Sequence, residues 1–92
     1  MTGHTTYRLE GCQVHVTPWV RPYMDADTVR FIVAEMMLVH VGEATISADG
    51  PRGPFMARVI DFRGRGATPL DAFRSAIDER ERMARARARA LP

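Results

Sequence analysis

A small α+β unit is the fold class this sequence predicts: a three-stranded antiparallel sheet followed by one C-terminal α-helix packed on one face (β-β-β-α). Three observations carry that expectation. Residues 7–17 and 55–62 are rich in β-branched and aromatic side chains, residues 29–41 (VRFIVAEMMLVHV) form an almost unbroken apolar run, and Thr68-Pro69 opens a stretch with helical spacing. Ninety-two residues with 46% hydrophobic content make one domain, 1–92, which buries only roughly 60–65% of the surface its unfolded chain exposes. The ends, 1–6 and 86–92, read as mobile.

Segment 7–17, YRLEGCQVHVT, sets Cys12, Val14 and Val16 against Gln13, His15 and Thr17, the alternation of a strand with one dry face. Pro18 and Pro22 stop regular pairing, and 18–28 reads as a loop in which Trp19 and Tyr23 fold back as apolar plugs. Periodicity does not decide the run 29–41. On a helical template, positions 29, 32, 33, 36, 37 and 40 are apolar except His40, but the remaining positions are apolar almost as often, so no polar face emerges. Its Val, Ile and Phe content assigns it to a strand; the alternative, residues 28–41 helical, gives β-α-β-β-α. Residues 44–47 are a short extended piece before the turn cluster Asp49, Gly50, Pro51, Gly53 and Pro54. Segment 55–62 is read as one further strand, and Arg63-Gly64-Arg65-Gly66 as the loop after it.

The final helix has the clearest signals. Thr68 is placed to cap it, Pro69 fits the first position, where an amide proton is not needed, and Asp71 meets the positive end of the helix dipole. Leu70, Phe73, Ala76, Ile77 and Ala84 form its apolar stripe, and Arg74 with Asp78, Asp78 with Arg82 and Glu81 with Arg85 are four-residue pairs on the other side.

A three-stranded sheet with one helix leaves its second face bare, so the sequence predicts a surface of Ile32, Met36, Leu38, Met56 and Ile60 that a second copy or another protein covers. Homo-oligomerisation or a protein partner is therefore the leading functional expectation, a non-enzymatic interaction module. The opening MTGHTTYRLE has no basic start followed by an apolar stretch, and the apolar run is shorter than the about 20 residues of a membrane helix. No membrane association and a cytoplasmic location are expected.

All 13 basic residues are arginine. Residues 1–61 hold five Arg and seven acids (net −2), and residues 62–92 hold eight Arg and four acids (net +4), so the basic character belongs to the C-terminal third. Arg63 and Arg65, with Arg80, Arg82, Arg85, Arg87 and Arg89, are the candidate contacts for a phosphate or nucleic acid, the second functional expectation. Cys12 is the only cysteine, and its C-x-x-H spacing to His15 puts the two side chains on opposite faces of a strand. No catalytic residue, metal ligand set or cofactor site is predicted.

Residues 66–76, GATPLDAFRSA, resemble the helix entry of HicB-type antitoxin domains, a G-x-T-x-x-[DE]-A-x-x-x-A pattern carried here by Gly66, Thr68, Asp71, Ala72 and Ala76. The resemblance implies a sheet-plus-helix unit that dimerises and contacts an RNA-cleaving partner protein. It spans eleven residues, and Arg63 to Arg65 stand where that family has a proline-containing strand end.

Overall fold

The computed structural model describes residues 3–90. It is α+β, but the sheet has five strands and is mixed: β1 (Thr5–Leu9), β2 (Cys12–Val16), β3 (Glu43–Ala48), β4 (Phe55–Val59) and β5 (Phe62–Gly66), in spatial order β1-β2-β3-β4-β5. Helix α1 (Ala26–Leu38) joins β2 to β3, which pair in parallel; every other neighbouring pair is antiparallel. Helix α2 (Pro69–Ala90) follows β5. The expected three-stranded antiparallel sheet with one helix is thus overturned, and so is the alternative order, which lacks two of the strands.

Each discrepancy has a local cause. Segment 7–17 is not one strand but the hairpin β1–β2, because Glu10 and Gly11 adopt φ of 52° and 79° and reverse the chain. Glycine takes that left-handed geometry without steric cost. Segment 55–62 breaks in the same way at Ile60 and Asp61, with Ile60 at φ 59°, so Phe62 begins β5. The RGRG segment is consequently a strand, not a loop.

The run 29–41 is mostly helix. Asp25 accepts a hydrogen bond from the Thr28 amide at 2.8 Å, which satisfies one of the donors a helix start leaves free. That bond, with lesser help from the Thr28 hydroxyl and the Asp27 amide, holds the Asp25 carboxyl below the ordinary aspartate range. Val39 and His40 end the helix, His40 at φ 58°. A parallel β2–β3 pair needs a long crossover, and α1 supplies it.

Both helices cover the same face of the sheet. Val14, Val16, Ile46, Phe55 and Val59 from the strands meet Ile32 and Met36 of α1 and Phe73 of α2, all at most 1% exposed. Burying each such side chain stabilises by roughly 1.5–3 kcal/mol. Cys12 belongs to this core as well, at 5% exposure. In the loop 17–25 the residues that plug the edge are Val20 and Met24, both buried; Trp19 is half exposed. Tyr23 stands edge-on to Phe55, ring centres 4.8 Å apart, and donates its hydroxyl proton to the Pro51 carbonyl at 2.8 Å.

Helix α2 starts as the capping residues predict: the Asp71 amide donates to Thr68 Oγ1 at 3.1 Å. Its buried residues are Pro69, Ala72, Phe73, Ala76 and Ile77, while Ala84 is exposed. The small residues of the 66–76 pattern have a packing reason. A Cβ on Gly66 would come within 2.5 Å of the Ala72 amide nitrogen, and Ala72 and Ala76 are fully buried. The ion pairs differ from those expected. Arg74 Nε donates to Glu35 Oε1 across the two helices at 2.8 Å, and Arg82 pairs with Glu79. From Glu81 onward α2 is exposed on all sides, so 86–90, expected to be a loose end, are the tip of a helical arm. Thr5 and Thr6 belong to β1; residues 1, 2, 91 and 92 lie outside the described residues.

Candidate functional site

The second face of the sheet is bare, as the sequence predicts, but it is polar. Alternation along each strand points Val14, Ile46, Ala57 and Gly64 at the helices and their neighbours the other way. One cross-strand row on the open side runs Thr6, His15, Thr45, Arg58, Arg63 through all five strands, and a second runs Ser47, Met56, Arg65. A third, Arg8, Gln13, Glu43, crosses the β1 side. Four inter-strand steps make the face about 19 Å wide.

The predicted apolar contact surface therefore does not exist as a unit. Ile32 and Met36 are fully buried in the molecule's own core, Leu38 is 79% exposed at the end of α1, Ile60 is exposed in the β4–β5 turn, and only Met56 lies on the open sheet face. Part of the apolar surplus that implied such a surface, Ile32, Val33 and Met36, is buried because α1 supplies a second covering helix.

The predicted basic residues fall into two groups. Arg63 and Arg65 stand on the open face of β5. Arg80, Arg82, Arg85, Arg87 and Arg89 lie on α2, which packs against the opposite side of the sheet. Arg80 is engaged, donating to the Val39 carbonyl at 3.2 Å. The remaining four do not form one ridge. At about 100° per residue, Arg82, Arg85 and Arg89 share a side of the helix, and Arg87 shares the other with Arg80.

The structure adds residues to Arg63 and Arg65 that sequence reading passed over. Arg58 on β4 is the direct cross-strand neighbour of Arg63, and Arg65 follows two residues on along the same face. Directly opposed side chains have Cβ atoms about 4.5–5.5 Å apart, so the two arginine side chains leave the sheet side by side, and like charges so placed destabilise a sheet. Arg58 is only loosely compensated: Nε donates to the Ile60 carbonyl at 3.1 Å, and Asp61, almost fully exposed, is 3.9 Å away. Among the described residues no acid lies within 4 Å of Arg63 or Arg65. The three arginines, with Thr45, Ser47 and Met56, line a shallow groove of about 650 Å³ that reaches Ser75 of α2 at the β5 edge. The signal was present in the sequence, since Arg58 shares the period-two set of Met56 and Ile60.

At the other end of the long row, Thr6 Oγ1 and His15 Nδ1 are 2.8 Å apart, and His15 Nε2 is 3.2 Å from Glu43 Oε2. This cluster ties β1, β2 and β3 together on the face. Cys12 and His15 point to opposite sides of β2, and among the described residues no group of three His, Cys, Asp or Glu side chains is placed to hold a metal ion. No helix among them is long and apolar enough to cross a membrane. No family model, curated protein or solved structure matches this chain.

The groove combines fixed positive charge with hydroxyl groups on a rigid sheet. Guanidinium groups bind phosphate oxygens with paired, directed hydrogen bonds, and Ser and Thr hydroxyls add single ones. Such a surface suits a chain of phosphates that can lie along it.

Proposed function

We propose that this protein is a non-enzymatic binding module that takes a single-stranded nucleic acid across the open face of its sheet, the phosphates resting on Arg58, Arg63 and Arg65. The observation that carries the reading is the cross-strand pairing of Arg58 with Arg63, with Arg65 beside them and, among the described residues, no acid within 4 Å of Arg63 or Arg65. Stability of the sheet gives no reason to oppose two cations; a bound polyanion does. A single strand fits better than a duplex, because the face carries no projecting helix or ribbon to enter a groove. Aromatic side chains are missing from it, so bases are met by guanidinium planes and binding is led by the backbone, tolerant of sequence.

Fluorescence anisotropy with a labelled RNA of about 12 nucleotides, within the span one small single-strand module covers, tests this. Three phosphate contacts give a slope of log affinity against log salt of about −2, and each arginine removed lowers its magnitude by about 0.7. Arg58→Ala, Arg63→Ala and Arg65→Ala combined should abolish salt-dependent binding. Affinity indifferent to salt, or retained in the triple variant, refutes the reading.

A further inference from the structure

Beside the arginine groove lies a second hollow of about 630 Å³, and the two share Thr45 and Arg58 in their walls. Its chemistry is different. Where the first is lined by guanidinium and hydroxyl groups, the second holds the Glu43 carboxylate, with the exposed His40 and Ile60 side chains on its walls. A carboxylate repels phosphate and accepts hydrogen bonds, so this hollow suits the part of a nucleotide that donates them, its base. We propose that it is a base subsite for the strand seated on the arginines, and that Glu43 selects guanine there. The proposal rests on the nucleic-acid reading above and adds one exception to a binding otherwise tolerant of sequence.

Glu43 is oriented for this task by its neighbours. Thr6 Oγ1 is 2.8 Å from His15 Nδ1, and His15 Nε2 is 3.2 Å from Glu43 Oε2. A neutral imidazole that accepts the Thr6 hydroxyl proton at Nδ1 carries its own proton on Nε2 and donates it to the carboxylate. A carboxylate has about four acceptor positions, of which His15 takes one, and the Glu43 side chain is 69% exposed. Arg58 does not compete for it, since its guanidinium lies 3.9 Å from Asp61 instead. Guanine matches what remains. Its N1–H and 2-amino group are two adjacent donors that meet the two oxygens of one carboxylate, whereas adenine and cytosine offer one amino group beside an acceptor, and uracil one N–H between two carbonyls. The register supplies the reach. Thr45 stands opposite Arg58, so Glu43 is a diagonal neighbour of Arg58, about 7–8 Å away, and one nucleotide places its base on Glu43 with its phosphate against Arg58. The His40 imidazole and the Ile60 side chain give the faces of that base a surface to lie on.

Fluorescence anisotropy of the full chain with labelled RNAs of about 12 nucleotides tests this: one all uridine, one with guanosines spaced among the uridines, and one with inosine, which lacks only the 2-amino group, in place of each guanosine. The guanosine RNA should bind on the order of tenfold tighter than the all-uridine RNA, the scale of one good paired base contact, and the inosine RNA should lose most of that gain. Glu43→Gln should bring the guanosine-to-inosine ratio of affinities close to one; the side chain is exposed, so the fold is kept. His15 is a positioning residue here. His15→Ala releases the carboxylate without removing it and should lower the same ratio, which a purely structural role for His15 would leave as in the parent. A ratio of one in the parent, or a parental ratio kept by either variant, overturns the proposal. RNA that binds with the salt slope of the arginines but without preference for guanosine overturns this subsite alone, whereas loss of salt-dependent binding to all the RNAs overturns the groove and the subsite with it.

Discussion

At Gly64 the backbone of β5 lies directly against α2. A Cβ there would sit 2.2 Å from the Ala76 amide nitrogen and 2.5 Å from the Ala72 carbonyl oxygen, and neither atom can rotate aside as a side-chain tip can. Gly64→Ala should therefore cost about 1–3 kcal/mol or more, seen as a lower urea midpoint, since overpacking against backbone displaces the whole helix. Gly42→Ala is the control: nothing lies within 4 Å of its added Cβ, and its midpoint should stay near the parent's. Equal losses at the two positions would show that helix packing is not the cause. Asp25 tests a different residue-level claim. Its carboxylate is favoured in the folded state by the Thr28 amide, so its folded pKa lies below the unfolded one. The sign follows: the unfolded chain binds the extra proton in the interval between the two values. The stabilising contribution is therefore fully present above the ordinary aspartate value of about 3.9 and lost as pH falls through the folded value. Asp25→Ala should reduce stability at neutral pH and shrink the loss on acidification through that interval, with urea midpoints at several pH values as the measure. An unchanged acid limb would rule the cap out as its source.

At the level of elements, α2 was legible because its signals are local. Thr68, Pro69 and Asp71 define a start, and one stripe of larger apolar residues defines a buried side. Helix α1 was not, and the reason is physical. Its buried side is Val29, Ile32, Val33 and Met36, but its exposed side is Phe31, Ala34, Met37 and Leu38, so the contrast that marks a helix in a sequence is absent. Segment 43–48 was half seen, as an extended piece, because Ala44 and Ile46 alternate with Thr45 and Ser47. Strand β5 was missed altogether. Two glycines in RGRG read as a loop, whereas both are needed for the close approach of α2, which no pattern within five residues reveals. The turn at Ile60-Asp61 was equally hidden, since isoleucine favours strands and is rarely found at positive φ. Of the candidate site, Arg63 and Arg65 were found from composition. Arg58, Thr45 and Ser47 became part of it only once the register of β3, β4 and β5 was known.

For the whole molecule, the consequential fact is that its two arginine-rich regions stand on opposite sides of one sheet. Arg58, Arg63 and Arg65 stand on the face away from α2, their groove meeting that helix only at Ser75 on the β5 edge, and the exposed arm from Glu81 to Ala90 continues α2 beyond its packed part. The sheet lies between the two, and exposed charges separated by more than the screening length of about 8 Å at physiological salt interact weakly. A short single strand seated in the groove should therefore not feel the arm. Truncation after Met83 removes Arg85, Arg87 and Arg89 and no acid, taking the net charge from +2 to 2 − 3 = −1. If net charge alone drew nucleic acid to this protein, binding would vanish. The geometry predicts instead that the truncated chain keeps the salt slope of the parent for an oligonucleotide of the length given above, measured by anisotropy near physiological ionic strength. Its urea midpoint should also match the parent's within about 0.5 kcal/mol of stability, because residues 84–90 are exposed and take no part in the core. The Arg63→Ala, Arg65→Ala pair changes the charge by only two, yet should lower the slope by about 1.4, at 0.7 per phosphate contact. The reverse ranking, a truncated chain that loses the slope and a double variant that keeps it, would move the binding surface to the arm and leave the open sheet face without a ligand.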